Sequence, residues 1–180
     1  MVFVALLRAI NLGRVNRVPM AELRAALTNA GFGDVVTHLQ SGNVVLRSAK
    51  RSPKAVADQI EEMVAAEFGV HAEVMVRTAD QLAKIVRANP LARERIGPET
   101  LHVAFLKSRP VAAATRGLAG QTFGDDEFVI RGTEIYLRYP NGVAGSKMNT
   151  ALFEGALGTP GTVRTWKVVT RLNDLAREAM

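Results

Sequence analysis

The first 76 residues alternate between strand and helix signals in one order. Strands are predicted at residues 2–7, 35–40, 44–47 and 70–76, of which the first is a continuous apolar run. Pro19 and Pro53 stand where the first turn of a helix favours proline, and apolar residues recur every three or four positions after each of them. The resulting order of strand, helix, strand, strand, helix, strand is the ferredoxin-like pattern.

The pattern starts again after a connecting segment. Thr78 and Gln81 have the spacing of a capping box, which predicts a helix ending near Asn89. Strands are then predicted at residues 101–107, 127–130 and 134–139, and helices at residues 110–118, 148–157 and 166–176. In this half a helix stands where the fourth strand is expected.

We therefore predict an α+β fold made of two ferredoxin-like βαββα(β) halves. Each half has a mostly antiparallel sheet with helices on one face. Residues 1–76 form the first half, residues 77–100 a connecting helix and linker, and residues 101–180 a modified second half.

Several chemistries are excluded by what the chain lacks. It contains no cysteine, which rules out disulfides, iron–sulfur clusters and thiol catalysis. The three histidines, at positions 38, 71 and 102, fall singly on predicted strands, so we expect no metal site and no cofactor. The first residues read as a strand rather than a signal peptide, and no apolar run reaches the length of a membrane helix. The expected protein is soluble and cytoplasmic, without a membrane partner.

The positive charge is concentrated in two segments. The formal net charge is +6 and the isoelectric point is about 10.2. Residues 1–24 hold four arginines against one glutamate, and residues 128–171 hold six basic residues against two glutamates. Residues 25–127 are balanced, with twelve charges of each sign. A local basic surface fits either an anionic partner or a solvated face.

A candidate site follows from the topology of the first half. With right-handed crossovers, the first two strands run parallel and the third lies antiparallel between them. The loop after the first strand and the turn after the second then emerge at the same end of the sheet. Polar side chains should converge there from two segments: Arg8, Asn11, Arg14, Asn16 and Arg17, and Gln40, Ser41 and Asn43. Such a set suits an anionic ligand.

Each candidate residue also has a structural interpretation. Asn11 and Asn16 could hydrogen-bond the loop to itself, with the arginines in solvent. Ser41 is better explained by the turn than as a nucleophile. Lys147 could bind a phosphate as a point charge, or could be a solvated lysine before a helix capped by Ser146 or Asn149. Trp166 could stack on a base or anchor the core.

Three function classes remain open. The first is a binding module, or an unrecognised enzyme, for a small anionic or phosphorylated ligand at the residues above. The second is an RNA-binding module, because ferredoxin-like sheets include the RNA-recognition motif, although the central strand N-V-V-L-R-S lacks stacking aromatics. The third is a homo-oligomer formed through an exposed sheet edge.

The chain also resembles a known family. The segments that carry the likeness are A-L-L-R-A-I-N-L-G-R-V-N-R-V-P-M-A-E-L-R, L-Q-S-G-N-V-V-L, A-N-P-L, L-H-V-A-F-L, I-Y-L-R-Y-P-N-G with G-S-K, and R-T-W-K-V-V-T-R-L. In their order along the chain and in their amino-acid sequence, these segments resemble the domain of unknown function 1697 family. The resemblance implies a small bacterial α+β protein of two ferredoxin-like halves, with no characterised activity. Ala9 stands where the resemblance leads us to expect glycine, and residues 165–167 read T-W-K instead of N-W-N.

Overall fold

The chain divides into two compact units. The computed structural model describes residues 1–93 and 96–180. The first unit contains Met1–Lys84 together with Arg171–Met180, and the second contains Ile85–Thr170. The last ten residues thus group with the first unit, whereas the division made on the sequence placed them with the second half.

The first unit has a complete ferredoxin-like order. Its elements are β1 (Val2–Leu7), α1 (Met20–Asn29), β2 (Gly33–His38), β3 (Asn43–Arg47), α2 (Pro53–Phe68) and β4 (Val74–Thr78), followed by α3 (Ala79–Arg87). The strands lie in the order β2-β3-β1-β4 and every pair is antiparallel. The second and fourth strands are displaced from their predicted positions. Leu39 and Gln40 therefore belong to the turn, and His71 precedes β4 instead of lying on it.

The second unit repeats the same order. Its elements are β5 (Leu101–Leu106), α4 (Ala112–Ala119), β6 (Glu127–Arg131), β7 (Glu134–Arg138), α5 (Thr150–Leu157) and β8 (Gly161–Thr165). The next helix, α6 (Trp166–Glu178), begins in the second unit, and its residues from Arg171 onward group with the first. A short 3₁₀ helix, Pro98–Thr100, precedes β5. The sheet order is β6-β7-β5-β8, again antiparallel throughout.

The expectation that a helix replaces the fourth strand of the second half was wrong. That strand is β8, whose sequence G-T-V-R-T contains one large apolar residue. Its buried residues include Thr162 and Arg164, so the apolar pattern that usually marks a strand is absent. The prediction of two antiparallel ferredoxin-like halves is otherwise confirmed.

Side-chain caps explain where several helices begin. Ser52 Oγ accepts a hydrogen bond from the Ala55 N–H at 3.4 Å, at the start of α2. The Thr78 and Gln81 pair forms the reciprocal bonds of a capping box at α3, at 2.9 and 3.1 Å. Of the two caps considered for α5, Asn149 is the one observed: its Oδ1 accepts from the Leu152 N–H at 3.0 Å.

The strands β1 and β5 are buried on both faces of their sheets. In β1, Phe3, Ala5 and Leu7 belong to the core under α1 and α2. Val4 and Leu6, on the opposite face, are only 2% and 1% exposed. The second sheet has the same character, because its central strand β5 is apolar and buried at five of its six positions. Neither central strand therefore presents a solvent-facing surface.

A short sequence repeat marks the duplication. Strands β4 and β8 both end in V-R-T, and a helix begins at the next residue in each case. Arg77 lies opposite Val4 on β1, and Arg164 lies opposite Val103 on β5. Each guanidinium donates to the carbonyl of the preceding valine at 2.9 Å. The two halves thus share a detailed local structure.

Among the helices of the described residues, none has the length and apolar character that a membrane crossing requires.

Candidate functional site

The loop between β1 and α1, residues 8–19, is shaped by Asn11. The Asn11 side-chain amide donates to the Val18 carbonyl at 2.9 Å and to the Gln40 carbonyl at 2.8 Å. Its Oδ1 accepts from the Val18 N–H at 2.8 Å. One side chain therefore closes the loop and joins it to the turn between β2 and β3. The structure thus brings the two segments together at one end of the first sheet, as the topology predicted.

Asn16 completes the fold of this loop. Its side-chain amide donates to the Ala9 carbonyl at 3.0 Å, and its own carbonyl accepts from the Asn11 N–H at 2.9 Å. The Val15 N–H donates to the Leu12 carbonyl at 3.0 Å, which makes a tight turn with Arg14 near its tip. Both asparagines thus bond the loop internally, which was the structural interpretation of these residues.

Backbone strain is concentrated here. Within the described residues, five non-glycine residues have a positive φ. Four of them lie in this loop and the facing turn: Ala9 at 56°, Asn11 at 53°, Asn16 at 51° and Leu39 at 59°. Asparagine adopts this left-handed conformation readily, but for other residues with a Cβ it costs about 1–2 kcal/mol. Strain of this kind clusters at functional sites because the surrounding structure must hold it in place.

The turn between β2 and β3 packs tightly against the loop. The Leu7 N–H donates to the Gly42 carbonyl at 2.8 Å, and a Cβ at Gly42 would lie 2.8 Å from both Ile10 Cδ1 and Leu7 Cβ. Asn43 is fully buried and donates to the His38 carbonyl at 2.8 Å and to Ser41 Oγ at 3.0 Å. The side chains of Asn43 and Ser41 therefore form hydrogen bonds within the turn between β2 and β3.

Two arginines remain directed to solvent on this framework. Arg14 and Arg17 are exposed, and neither has a hydrogen bond or ion pair within the part of the chain that the structure describes. Arg8 is half-buried, and its backbone N–H donates to the Glu73 carbonyl at 2.8 Å. Together with the residues between them and α1, these arginines form the arginine loop, residues 8–19.

Lys147 lies in the second unit, on a cleft of about 500 Å³. Asp125 and Asp126 line the same cleft, and Ser146 Oγ donates to Asp126 Oδ2 at 2.5 Å. An anion bound by Lys147 would therefore meet two carboxylates. Behind the cleft, the Tyr139 hydroxyl donates to the Met148 carbonyl at 2.7 Å, and burial raises the pKa of Tyr139 to about 12, with a smaller contribution from Asp126.

Two groups of the second unit, the half-buried His102 and the buried Arg164, have perturbed pKa values. His102 packs edge-on against Tyr139, with ring centroids 5.1 Å apart, and burial lowers the pKa of His102 below 6.5. Burial also lowers the pKa of Arg164 to about 10. Trp166 is half-buried at the first position of α6, so it is neither a deep core anchor nor an open stacking surface.

Sequence patterns missed part of this surface. Leu12, Val15 and Leu39 are 61%, 63% and 57% exposed, although a loop of this kind was predicted only to carry polar groups. The left-handed backbone at Ala9 and Leu39 was also unexpected, because neither residue type indicates a positive φ. For Ala9, the available signal was the glycine that the family resemblance leads us to expect at position 9.

A family model described as "Protein of unknown function (DUF1697)" matches residues 1–136. The chain belongs to this family. The match to the DUF1697 model includes the arginine loop, the facing turn and the first strands of the second unit.

A solved structure is similar to the DUF1697 chain over nearly its whole length. It is described as "The structure of conserved bacterial protein SP0830 from Streptococcus pneumoniae". The two chains are 18% identical and superpose with a TM-score of 0.74, covering 97% of this chain and 98% of the other. At this identity the likeness supports the fold alone. A comparison with curated proteins finds no match.

Proposed function

We propose that this protein is a cytoplasmic binding module that holds a compact anion, a phosphate or carboxylate group, on the arginine loop. Arg14 and Arg17 provide the charge, and Asn11 and Asn16 position the backbone that carries them. The observation that carries the proposal is a pair of exposed arginines that have no hydrogen bond or ion pair among the described residues, on a loop and facing turn that hold four left-handed non-glycine residues. The strain at Ala9 and Leu39 adds nothing to stability, so a functional reason for it is favoured.

The chemistry of the guanidinium group supports an oxyanion ligand. Arginine presents a planar fork of N–H donors that matches the oxygens of phosphate and carboxylate, often through two parallel hydrogen bonds. A loop that is already ordered by its own hydrogen bonds loses less conformational entropy when the ligand binds. The bonds of Asn11 to Val18 and Gln40 thus support binding without touching the ligand.

A compact anion is favoured over a long nucleic acid. RNA-recognition sheets stack bases on aromatic residues of an open central face, whereas both central strands here are buried. Within the described part of the chain, the arginine loop offers two cations without a partner, Arg14 and Arg17, which limits the number of phosphates it can neutralise at once. For a single strand, the logarithm of affinity falls by about 0.7 for each contacted phosphate per tenfold rise in salt. With two phosphate contacts, the logarithm of RNA affinity should therefore fall by no more than about 1.4 per tenfold rise in salt.

The test is a calorimetric titration with inorganic pyrophosphate at low, constant ionic strength. The double variant Arg14→Ala/Arg17→Ala should lose at least about tenfold in affinity, because charge-assisted hydrogen bonds are lost. Its melting temperature should stay within about 1 °C of wild type, because exposed charges contribute little to folding. The matched control is Lys50→Ala/Arg51→Ala, which removes two exposed adjacent cations of the first unit and should bind as wild type does.

Two results would contradict the proposal. One is equal pyrophosphate affinity in wild type and the Arg14→Ala/Arg17→Ala variant. The other is tight retention of a single-stranded 20-mer RNA at 0.5 M salt, which two phosphate contacts cannot sustain. The second result would move RNA binding ahead of small-anion binding.

A further inference from the structure

The second unit has a position equivalent to the arginine loop. At the end of β1, the Leu7 N–H donates to the Gly42 carbonyl and the Arg8 N–H to the Glu73 carbonyl, both at 2.8 Å. At the end of β5, the Leu106 N–H donates to the Thr133 carbonyl at 2.8 Å and the Lys107 N–H to the Pro160 carbonyl at 2.9 Å. The same two bonds therefore fix the exit of the first strand beside a hairpin in both units.

The connection that follows is much shorter in the second unit. Residues 8–19 join β1 to α1, whereas residues 107–111 join β5 to α4. In the first unit the long loop reaches across the hairpin, with Ile10 against Gly42. The short connection leaves a cleft of about 480 Å³ in the corresponding place, between the connection, α4 and the hairpin. Arg109, Thr115, Arg116, Ile130 and Gly132 contribute to its walls.

The charge of this cleft has one sign. Arg109 and Arg116 are exposed, and the described residues provide neither of them with a hydrogen bond or an ion pair. No carboxylate is among the residues that line the cleft. The Glu134 carboxylate accepts a hydrogen bond from the Thr133 hydroxyl at 2.8 Å, and its Oε2 lies 4.0 Å from the position of a Cβ built on Gly132. The residues that line the cleft therefore include two arginines, without a lining carboxylate, and an apolar wall at Ile130.

We infer that this cleft is a second anion site, in which Arg109 and Arg116 bind the phosphate group of a small phosphate ester. Guanidinium pairs suit the oxygens of a phosphate, and the concave shape excludes more water from the contact than a convex loop does. The volume leaves room for a small organic group against Ile130. This site does not depend on the arginine loop, because all of its residues belong to the second unit.

The probe is inorganic phosphate, added to the full chain at constant ionic strength while amide chemical shifts are recorded. The amides of Gly132 and Thr115 should shift saturably in wild type. In the Arg109→Ala/Arg116→Ala variant the affinity measured at these amides should fall at least tenfold. The Arg14→Ala/Arg17→Ala variant is the matched control, and its affinity at Gly132 should stay within twofold of wild type.

Three outcomes would overturn the inference. The first is the absence of a saturable shift at Gly132 and Thr115 in wild type. The second is an unchanged response in the Arg109→Ala/Arg116→Ala variant. The third is an equal loss in both double variants, which would indicate general charge attraction. Because the amides of the arginine loop are resolved separately, failure at one site is distinguishable from failure at the other.

Discussion

Replacing Gly42 with alanine should separate backbone strain from close packing at the turn that supports the arginine loop. Gly42 has a φ of 75°, and an added Cβ would lie 2.8 Å from Ile10 Cδ1 and from Leu7 Cβ. Leu7 Cβ is attached directly to the backbone of β1, so it cannot move aside cheaply. The matched control is Gly142→Ala, at a φ of 83° with no atom within 4 Å of the new Cβ.

The expected costs differ because the backbone contribution is common to both variants. A left-handed alanine costs about 1–2 kcal/mol, partly offset by about 0.4–1 kcal/mol from the lower entropy of the unfolded chain. Gly142→Ala should therefore lower the free energy of unfolding by about 0–1.6 kcal/mol. Overpacking adds about 1–3 kcal/mol at Gly42, giving a total of about 1–4.6 kcal/mol. Urea unfolding of both variants measures the difference, and equal costs would refute the tight packing of the turn against the loop.

Three further predictions concern the loop and the second sheet. Ala9→Gly should raise the free energy of unfolding by up to about 1 kcal/mol, because glycine relieves the left-handed strain. The control is Ala144→Gly, at an exposed loop residue that has no positive φ, and it should lower the free energy of unfolding by about 0.4–1 kcal/mol. A lower free energy of unfolding in both variants would contradict the left-handed conformation at Ala9. Asn11→Ala should lower stability in urea by about 2–4 kcal/mol, because three hydrogen bonds are lost and alanine fits the left-handed backbone at φ 53° less well than asparagine does. A cost below about 1 kcal/mol would argue against the role of Asn11 in closing the loop. His102 has a lowered pKa in the folded state, so the unfolded chain binds more protons below about pH 6.5 and stability should decline as the pH falls from there. In His102→Phe that decline should be smaller between pH 7.5 and pH 5, and an identical pH profile would be inconsistent with a half-buried histidine whose pKa is lowered in the folded state.

The fold was predictable from sequence where the buried positions of an element are occupied by apolar residues. β1 is apolar at every position because both of its faces are buried, and such a run is visible without any structure. β8 was missed because burial there falls on Thr162 and Arg164, whose residue types do not indicate it. The repeated V-R-T at the ends of β4 and β8 was the available signal for the missing strand.

The candidate site was predictable in its location and less so in its chemistry. Right-handed crossovers determine which loops share an end of the sheet, so the approach of the arginine loop to the 40–43 turn followed from topology. The role of each side chain, ligand contact or loop closure, could not be predicted from the topology. Asparagines suit both ligand contacts and loop closure, and the distinction depends on where Val18 and Gln40 place their carbonyls. Positive φ at Ala9 and Leu39 is imposed by tertiary structure.

Charge counting along the chain concealed the second cleft. Residues 25–127 are neutral as a segment, although Arg109 and Arg116 belong to them and have no partner among the described residues. The acidic residues that balance the segment include Glu61 on α2 and Asp125 on the cleft that contains Lys147, and neither lines the cleft of Arg109 and Arg116. Charge that is balanced along the sequence can therefore be unbalanced on a surface.

The arginine loop is the central claim, and a heavy-anion derivative tests it most directly. Crystals in which the loop is free of lattice contacts would be soaked in tungstate, a phosphate analogue with a strong anomalous signal. We expect an anomalous peak in contact with the guanidinium groups of Arg14 and Arg17, over a loop in which Ala9 retains its left-handed backbone. The absence of a peak at these arginines, with peaks only at other basic residues, would contradict the account.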